Sequence, residues 1–173
     1  MEWGPGNMWI NAGKQQFHLP TGKPQVLRGH VGVSVPKLSE LEARLRKTNS
    51  PLNKTRFDFT RHKHHISVIC PWGNRLKCFE KGTINDMELG IPYVEFEVPA
   101  GASKGIASFY ERVMNCKTRR KSNGCSIFVG RDQFLNFKEV KNFNPNYDGH
   151  HIAIYVSNFS GPHKFLKSNN LIT

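Results

Sequence analysis

With 173 residues, 38% of them hydrophobic and 11% aromatic, the chain is long and apolar enough to bury a core, which excludes an intrinsically disordered polymer. No apolar run approaches the ~20 residues that a membrane-spanning helix needs. The formal charge of +12 permits polyanion binding, but no zinc finger, RNP-type aromatic motif or KH-type loop accompanies it, so nucleic acid is not the expected partner.

Residues 1–8 are broken by Gly4, Pro5 and Gly6 and read as a frayed lead-in. They show neither a basic n-region nor an apolar h-region, so no secretory signal is read and the cytoplasm is the expected compartment. Met8–Gly13 and Gln15–Leu19 read as two short strands around a turn at Gly13-Lys14, with Pro20 closing the second. Gly29–Val35 sets Val31, Val33 and Val35 at period two, the pattern of a strand with one buried face. Beyond Pro36, Leu38, Leu41 and Leu45 stand at i, i+3 and i+7, and Ser39 with Glu42 has the form of a capping box. A helix over 38–46 is predicted. Strands follow at Arg56–Thr60, His65–Cys70 and Arg75–Glu80, the last leaving a turn at Pro71-Trp-Gly-Asn74. Lys81–Gly90 is a linker. Tyr93–Val98 is the next strand, and Ile106–Met114 a helix with Ile106, Phe109, Tyr110 and Val113 on one face. Three more strands are expected at Cys116–Lys121, Cys125–Val129 and Gln133–Lys138. A loop over 142–149 then leads to a strand carrying Ile152, Ile154 and Val156, and to a weak helical segment near 162–169.

These elements repeat. Val31, Val33, Val35 and Pro36 return 63 residues later as Val94, Phe96, Val98 and Pro99, and Ile152, Ile154 and Val156 follow after a further 58. Gly13-Lys-Gln-Gln-Phe17 matches Gly130-Arg-Asp-Gln-Phe134 at a spacing of 117. Two strand–helix–three-strand modules are therefore complete, and partial modules flank them. The expected domains are 1–82 and 83–173, each a complete module with a partial one. The heads of the three organising strands carry His30, Tyr93 and His151.

Cys70, Cys78, Cys116 and Cys125 form no C-x-x-C pair and read as reduced thiols. Lys117–Lys121 and Arg61–His65 are the densest basic runs and read as charged strand edges. His62, His64 and His65 read as the charged end of a hairpin rather than a metal tract. No Ser/His/Asp order, G-x-G-x-x-G or Walker A stretch appears, so covalent catalysis and nucleotide hydrolysis have no support.

The order of elements, with Pro71-Trp-Gly-Asn-Arg-Leu76 before a last strand and Ser108-Phe-Tyr-Glu-Arg-Val113 on a module helix, resembles the vicinal oxygen chelate superfamily. That group contains glyoxalases, bleomycin-resistance proteins and extradiol dioxygenases. The resemblance spans nearly the whole chain. It implies an α+β fold of repeated βαβββ modules forming curved, cup-like mixed sheets flanked by helices. It also implies metal ligands drawn from the first and last strands of paired modules. The first-strand positions are His30, Tyr93 and His151; the last-strand positions are His18, Lys77 and Leu135 (or Asn136, one register on). His18 and His30 are thus the implied ligands of a divalent iron, manganese, nickel or zinc ion. Lys77, Tyr93 and His151 would line a ligand cup, with catalytic residues unassigned. The chain departs from the family pattern where Lys77 supplies no metal ligand and Cys70 stands in place of a common aspartate.

Three functions follow. The first is a metal-dependent lyase or dioxygenase acting on a small oxygen-chelating substrate. The second is a non-catalytic small-ligand-binding module with degenerate metal sites. The third is a basic nucleic-acid-associated protein. A small-molecule ligand and a homodimer joined through open module edges are the expected partners, with no membrane. The plainer roles are a hydrogen-bonded lining histidine for His18, a solvent-reaching Lys77 and a core-packing Tyr93.

Overall fold

A computed structural model describes residues 2–4 and 6–172. In chain order the strands and helices are β1 (Glu2–Gly4), β2 (Asn7–Ala12), β3 (Gln15–Pro20), β4 (Gly29–Val35), α1 (Leu38–Leu52), β5 (Asp58–Arg61), β6 (Ile66–Ile69), β7 (Arg75–Glu80), β8 (Gly90–Pro99), α2 (Ser103–Met114), β9 (Thr118–Lys121), β10 (Gly124–Gly130), β11 (Gln133–Val140) and α3 (Ser160–Ser168). The class is α+β, and both complete βαβββ modules are present: β4-α1-β5-β6-β7 and β8-α2-β9-β10-β11. Among the described residues no helix is long and apolar enough to cross a membrane.

Two compact units divide the chain. The first runs to Phe96 and takes in Asn146–His150; the second holds Glu97–Pro145 and the chain from His151 on. The first unit contains a three-stranded sheet in the order β1-β2-β3 and strands ordered β5-β6-β7-β4-β8. β4 runs parallel to β7, with Val31 opposite Leu76 and Val33 opposite Cys78, and antiparallel to β8. The alternation of β4 is spent as predicted. Val31, Val33 and Val35 join Leu38, Leu41 and Leu45 of α1, Ile66 and Val68 of β6, and Cys78 of β7 in one core. Burying each such aliphatic side chain contributes roughly 1.5–3 kcal/mol. His30, Gly32 and Ser34 consequently point to the opposite face of the sheet.

In the second unit β11-β10-β9 are neighbours, and α2 packs on them. Ala107, Cys125, Ile127 and Leu135 are buried hydrophobic residues of this unit. All four cysteines are free thiols.

Four local expectations need correction. Residues 2–4 and 7–8 are strand, because Glu2 pairs with Trp9 and Gly4 with Asn7. The helix α1 extends to Leu52 rather than ending near 46. Its capping box does not form: Glu42 pairs with Arg46 and Arg61, while the Leu38 amide donates to Glu80 Oε2 at 3.0 Å. The module repeat reproduces this device, since the Ser103 amide at the start of α2 donates to Glu139 Oε1 at 3.0 Å. In each module a glutamate from the end of the last strand meets the positive end of the helix. Finally, the apolar alternation at Ile152–Val156 is not a strand, and Tyr155 within it is fully exposed. Period-two patterning makes a strand only where another strand takes up its amides and carbonyls.

Candidate ligand-binding site

The face of the first unit's sheet turned away from α1 carries the polar residues of β4, β7 and β8. Gly32 lies between Lys77 of β7 and Tyr93 of β8, and His30 lies opposite Glu95. Cross-strand partners share a face, so His30, Gly32, Lys77, Tyr93 and Glu95 are brought together by strand register alone.

His30 is the centre of this group. It is buried, and its Nε2 lies 2.9 Å from the Tyr93 hydroxyl while its Nδ1 lies 3.4 Å from Glu95 Oε1. The rings of His30 and Tyr93 meet edge to face, with centroids 5.4 Å apart. In the neutral imidazole a carboxylate favours the tautomer with the proton on Nδ1, which leaves Nε2 to accept the Tyr93 O–H. Burial, and then the charge of Glu95, push the Tyr93 pKa well above the usual phenol range, so the hydroxyl stays neutral and remains a donor. Gly32 makes room for it. A Cβ on Gly32 would fall 2.3 Å from Tyr93 Cε1, so the ring lies directly over the glycine.

Beyond Tyr93 the rings continue across the sheet. Phe79 lies 6.3 Å from Tyr93, His65 5.4 Å from Phe79, and His62 stacks on His65 at 4.4 Å with 15° between planes. Ser67 Oγ and His62 Nε2 are 3.1 Å apart. Arg61 donates from Nη1 to the carbonyls of His62 and His65, fixing the end of the β5–β6 hairpin.

His18 lies on β3, stacked on Trp9 with centroids 4.1 Å apart and with Nε2 3.1 Å from Asn7 Oδ1. Lys77 is half-buried on β7, in register between Ser67 and Gly32. Tyr93 is hydrogen-bonded to His30 across the β4–β8 pair, so the heads of two organising strands meet each other. His151 is exposed and belongs to the second unit. Leu135 is a core residue and Asn136 accepts from Ser126 Oγ at 2.6 Å, so that last strand offers no ligand side chain of the His, Gln or Glu type at either register. Glu95, Phe79 and Gly32 were not legible as members of the site. Glu95 is two residues from Tyr93 and therefore on its face, but only the β4–β8 register sets it against His30.

The residues do not fit the metal that the resemblance implies. Among the described residues no group of three or more His, Cys, Asp or Glu side chains is placed to hold one. His30 is turned to Tyr93 and Glu95, His18 to Trp9 and Asn7, and the last-strand position Lys77 is a cation.

No protein-family model and no curated protein matches the chain. Solved structures do. A candidate dioxygenase from Bacillus subtilis subsp. subtilis str. 168 superposes with a TM-score of 0.62 over 96% of this chain at 14% identity. This chain has the vicinal oxygen chelate fold. It spans 63% of that structure's length. More distant matches are a triple mutant of 4-hydroxymandelate synthase from Streptomyces coelicolor (TM-score 0.36, 14% identity, 76% of this chain and 56% of that one) and a xylose isomerase-like TIM barrel/4-hydroxyphenylpyruvate dioxygenase fusion protein (TM-score 0.36, 11% identity, 87% and 31%). Two βαβββ modules in succession set their first strands, β4 and β8, side by side and antiparallel, and residues of those strands build the site.

Proposed function

We propose that this glyoxalase- and dioxygenase-like chain binds a small oxygen-bearing molecule at His30 and Tyr93, without a metal ion. The observation that carries the reading is the His30 imidazole held between a neutral phenol and a carboxylate on one sheet face. The site can offer a ligand oxygen two complementary groups. The Tyr93 oxygen accepts from a ligand hydroxyl while its proton stays hydrogen-bonded to His30 Nε2, and the hydroxyl donates to a carbonyl or alkoxide oxygen when that bond to His30 is given up. Glu95 holds the imidazole's orientation while either exchange takes place. Gly32 keeps the Tyr93 ring down on the sheet, so the hydroxyl is positioned before the ligand arrives.

Binding of a panel of small diols and hydroxyketones, measured by calorimetry together with elemental analysis of the purified protein, tests this. Saturable binding by metal-free protein, weakened at least about tenfold by Tyr93→Phe and by His30→Gln, is the expected outcome. Near-stoichiometric iron, manganese, nickel or zinc that His30→Ala removes would overturn it in favour of a metal-dependent enzyme with His18 and His30 as ligands.

A further inference from the structure

The other end of the ring row has a character of its own. Lys77 is half-buried in the middle of the sheet, and its ammonium, among the described residues, makes no ion pair and no hydrogen bond. It projects from the same face as Phe79 by alternation along β7, and register sets it between Ser67 and Gly32. Around it lie His62, His65, Phe79 and Tyr93, whose rings form a continuous strip with centroid spacings of 4.4, 5.4 and 6.3 Å. The local field is positive. The His65 imidazole is held below its ordinary pKa first by burial, then by charge on His62, Lys77, Arg61 and His64. A half-buried ammonium with no counter-ion beside a strip of π faces offers complementary partners to something both anionic and flat.

We propose that the sheet face over Lys77, His65 and Phe79 binds an aryl anion, a planar aromatic ring bearing a carboxylate or phosphate group. The ring lies along the strip at Phe79 and His65, and the acid group pairs with the Lys77 ammonium. This names the ligand class of the site centred on His30 and so builds on that reading, with Tyr93 as the ring shared by both ends. A nucleic acid strand is disfavoured at the same place. The strip holds one unpaired cation rather than a track of them, and Glu95 stands at its far end, where a phosphodiester backbone would be repelled.

Equilibrium binding by calorimetry uses benzoate and phenyl phosphate as probes, with benzyl alcohol as the neutral aromatic control and acetate and inorganic phosphate as ringless anions. Both aryl anions are expected to bind at least about tenfold more tightly than every control. Lys77→Met should remove that preference and Lys77→Arg should largely retain it. The ranking of benzoate against phenyl phosphate tells which acid group the site takes. Equal affinity for benzyl alcohol and benzoate, equal affinity for acetate and benzoate, or no effect of Lys77→Met would overturn the inference. So would displacement of benzoate by a short single-stranded oligonucleotide with a steep salt dependence, which would assign the face to nucleic acid. His30→Gln separates the two readings. Benzoate binding that needs Lys77 but not His30 sustains this inference and removes the His30-anchored site. Binding of neutral diols that needs His30 but not Lys77 does the reverse.

Discussion

His30 and Tyr93, 63 residues apart in sequence, share a 2.9 Å hydrogen bond because the two first strands of successive modules lie side by side. Equivalent positions of an internal repeat thus become partners in one site. Tyr93→Phe removes only the hydroxyl. It should cost about 1 kcal/mol of stability, the usual worth of one hydrogen bond, and should shift the His30 imidazole resonances in an NMR pH titration. Unchanged His30 resonances would show that the bond does not exist in solution.

Gly32 is predicted to tolerate no side chain. A Cβ there would stand 2.3–2.6 Å from three atoms of the Tyr93 ring, so Gly32→Ala must displace the ring or the strand. The expected loss is roughly 1–3 kcal/mol, as for other overpacked sites. Chemical denaturation measures it, and Gly32→Ala should cost much less in a Tyr93→Ala background than in the parent protein if the clash is the cause.

Both module helices begin on a glutamate from the last strand of their own module. Glu80→Ala leaves the buried Leu38 amide without its acceptor and should destabilise the protein by about 1–2 kcal/mol. Glu139 holds both the hydroxyl and the amide of Ser103, and these bonds, the hydroxyl's first, draw its pKa below the usual glutamate value. Glu139→Gln should therefore be destabilising at neutral pH, with the difference from the parent protein shrinking as pH falls through the carboxylate range. A difference that grew on acidification would refute the capping role.

Asp148 reaches back across the chain to accept from the Val26 amide at 2.6 Å, and it also meets His150 Nδ1 at 2.7 Å. The Val26 bond above all lowers its pKa from 3.8 to about 2. A depressed carboxylate pKa stabilises the folded state above the unfolded value, and the contribution fades as pH drops from about 4 toward 2. Urea midpoints of the parent and Asp148→Asn proteins should differ near neutrality and converge by about pH 2. Convergence at pH 6 or above would mean that the tether contributes nothing.

Strand and helix order was legible because it rests on local chemistry. Val31, Val33 and Val35 repeat every second residue, Leu38, Leu41 and Leu45 follow a helical spacing, and glycine and proline punctuate the rest. The repeat itself needs no more than spacing, and the resemblance to vicinal oxygen chelate proteins rests on its order of elements together with the Pro71–Leu76 and Ser108–Val113 stretches. His30 and Tyr93 could be singled out for the same reason, as residues at equivalent positions of that repeat. Their partnership could not. It depends on β4 lying antiparallel to β8 in one particular register, which places Glu95 opposite His30 and Tyr93 opposite Gly32. Strand pairing is made of backbone hydrogen bonds that every residue but proline can form, so sequence carries little record of which strands meet. For the same reason Ile152–Val156 reads as a strand yet is none, and Ser39 with Glu42 reads as a cap while Glu80, from the far side of the module, does the capping. Periodicity determined which face of each element is apolar; tertiary structure alone decided which polar faces confront one another, and the site is made of those.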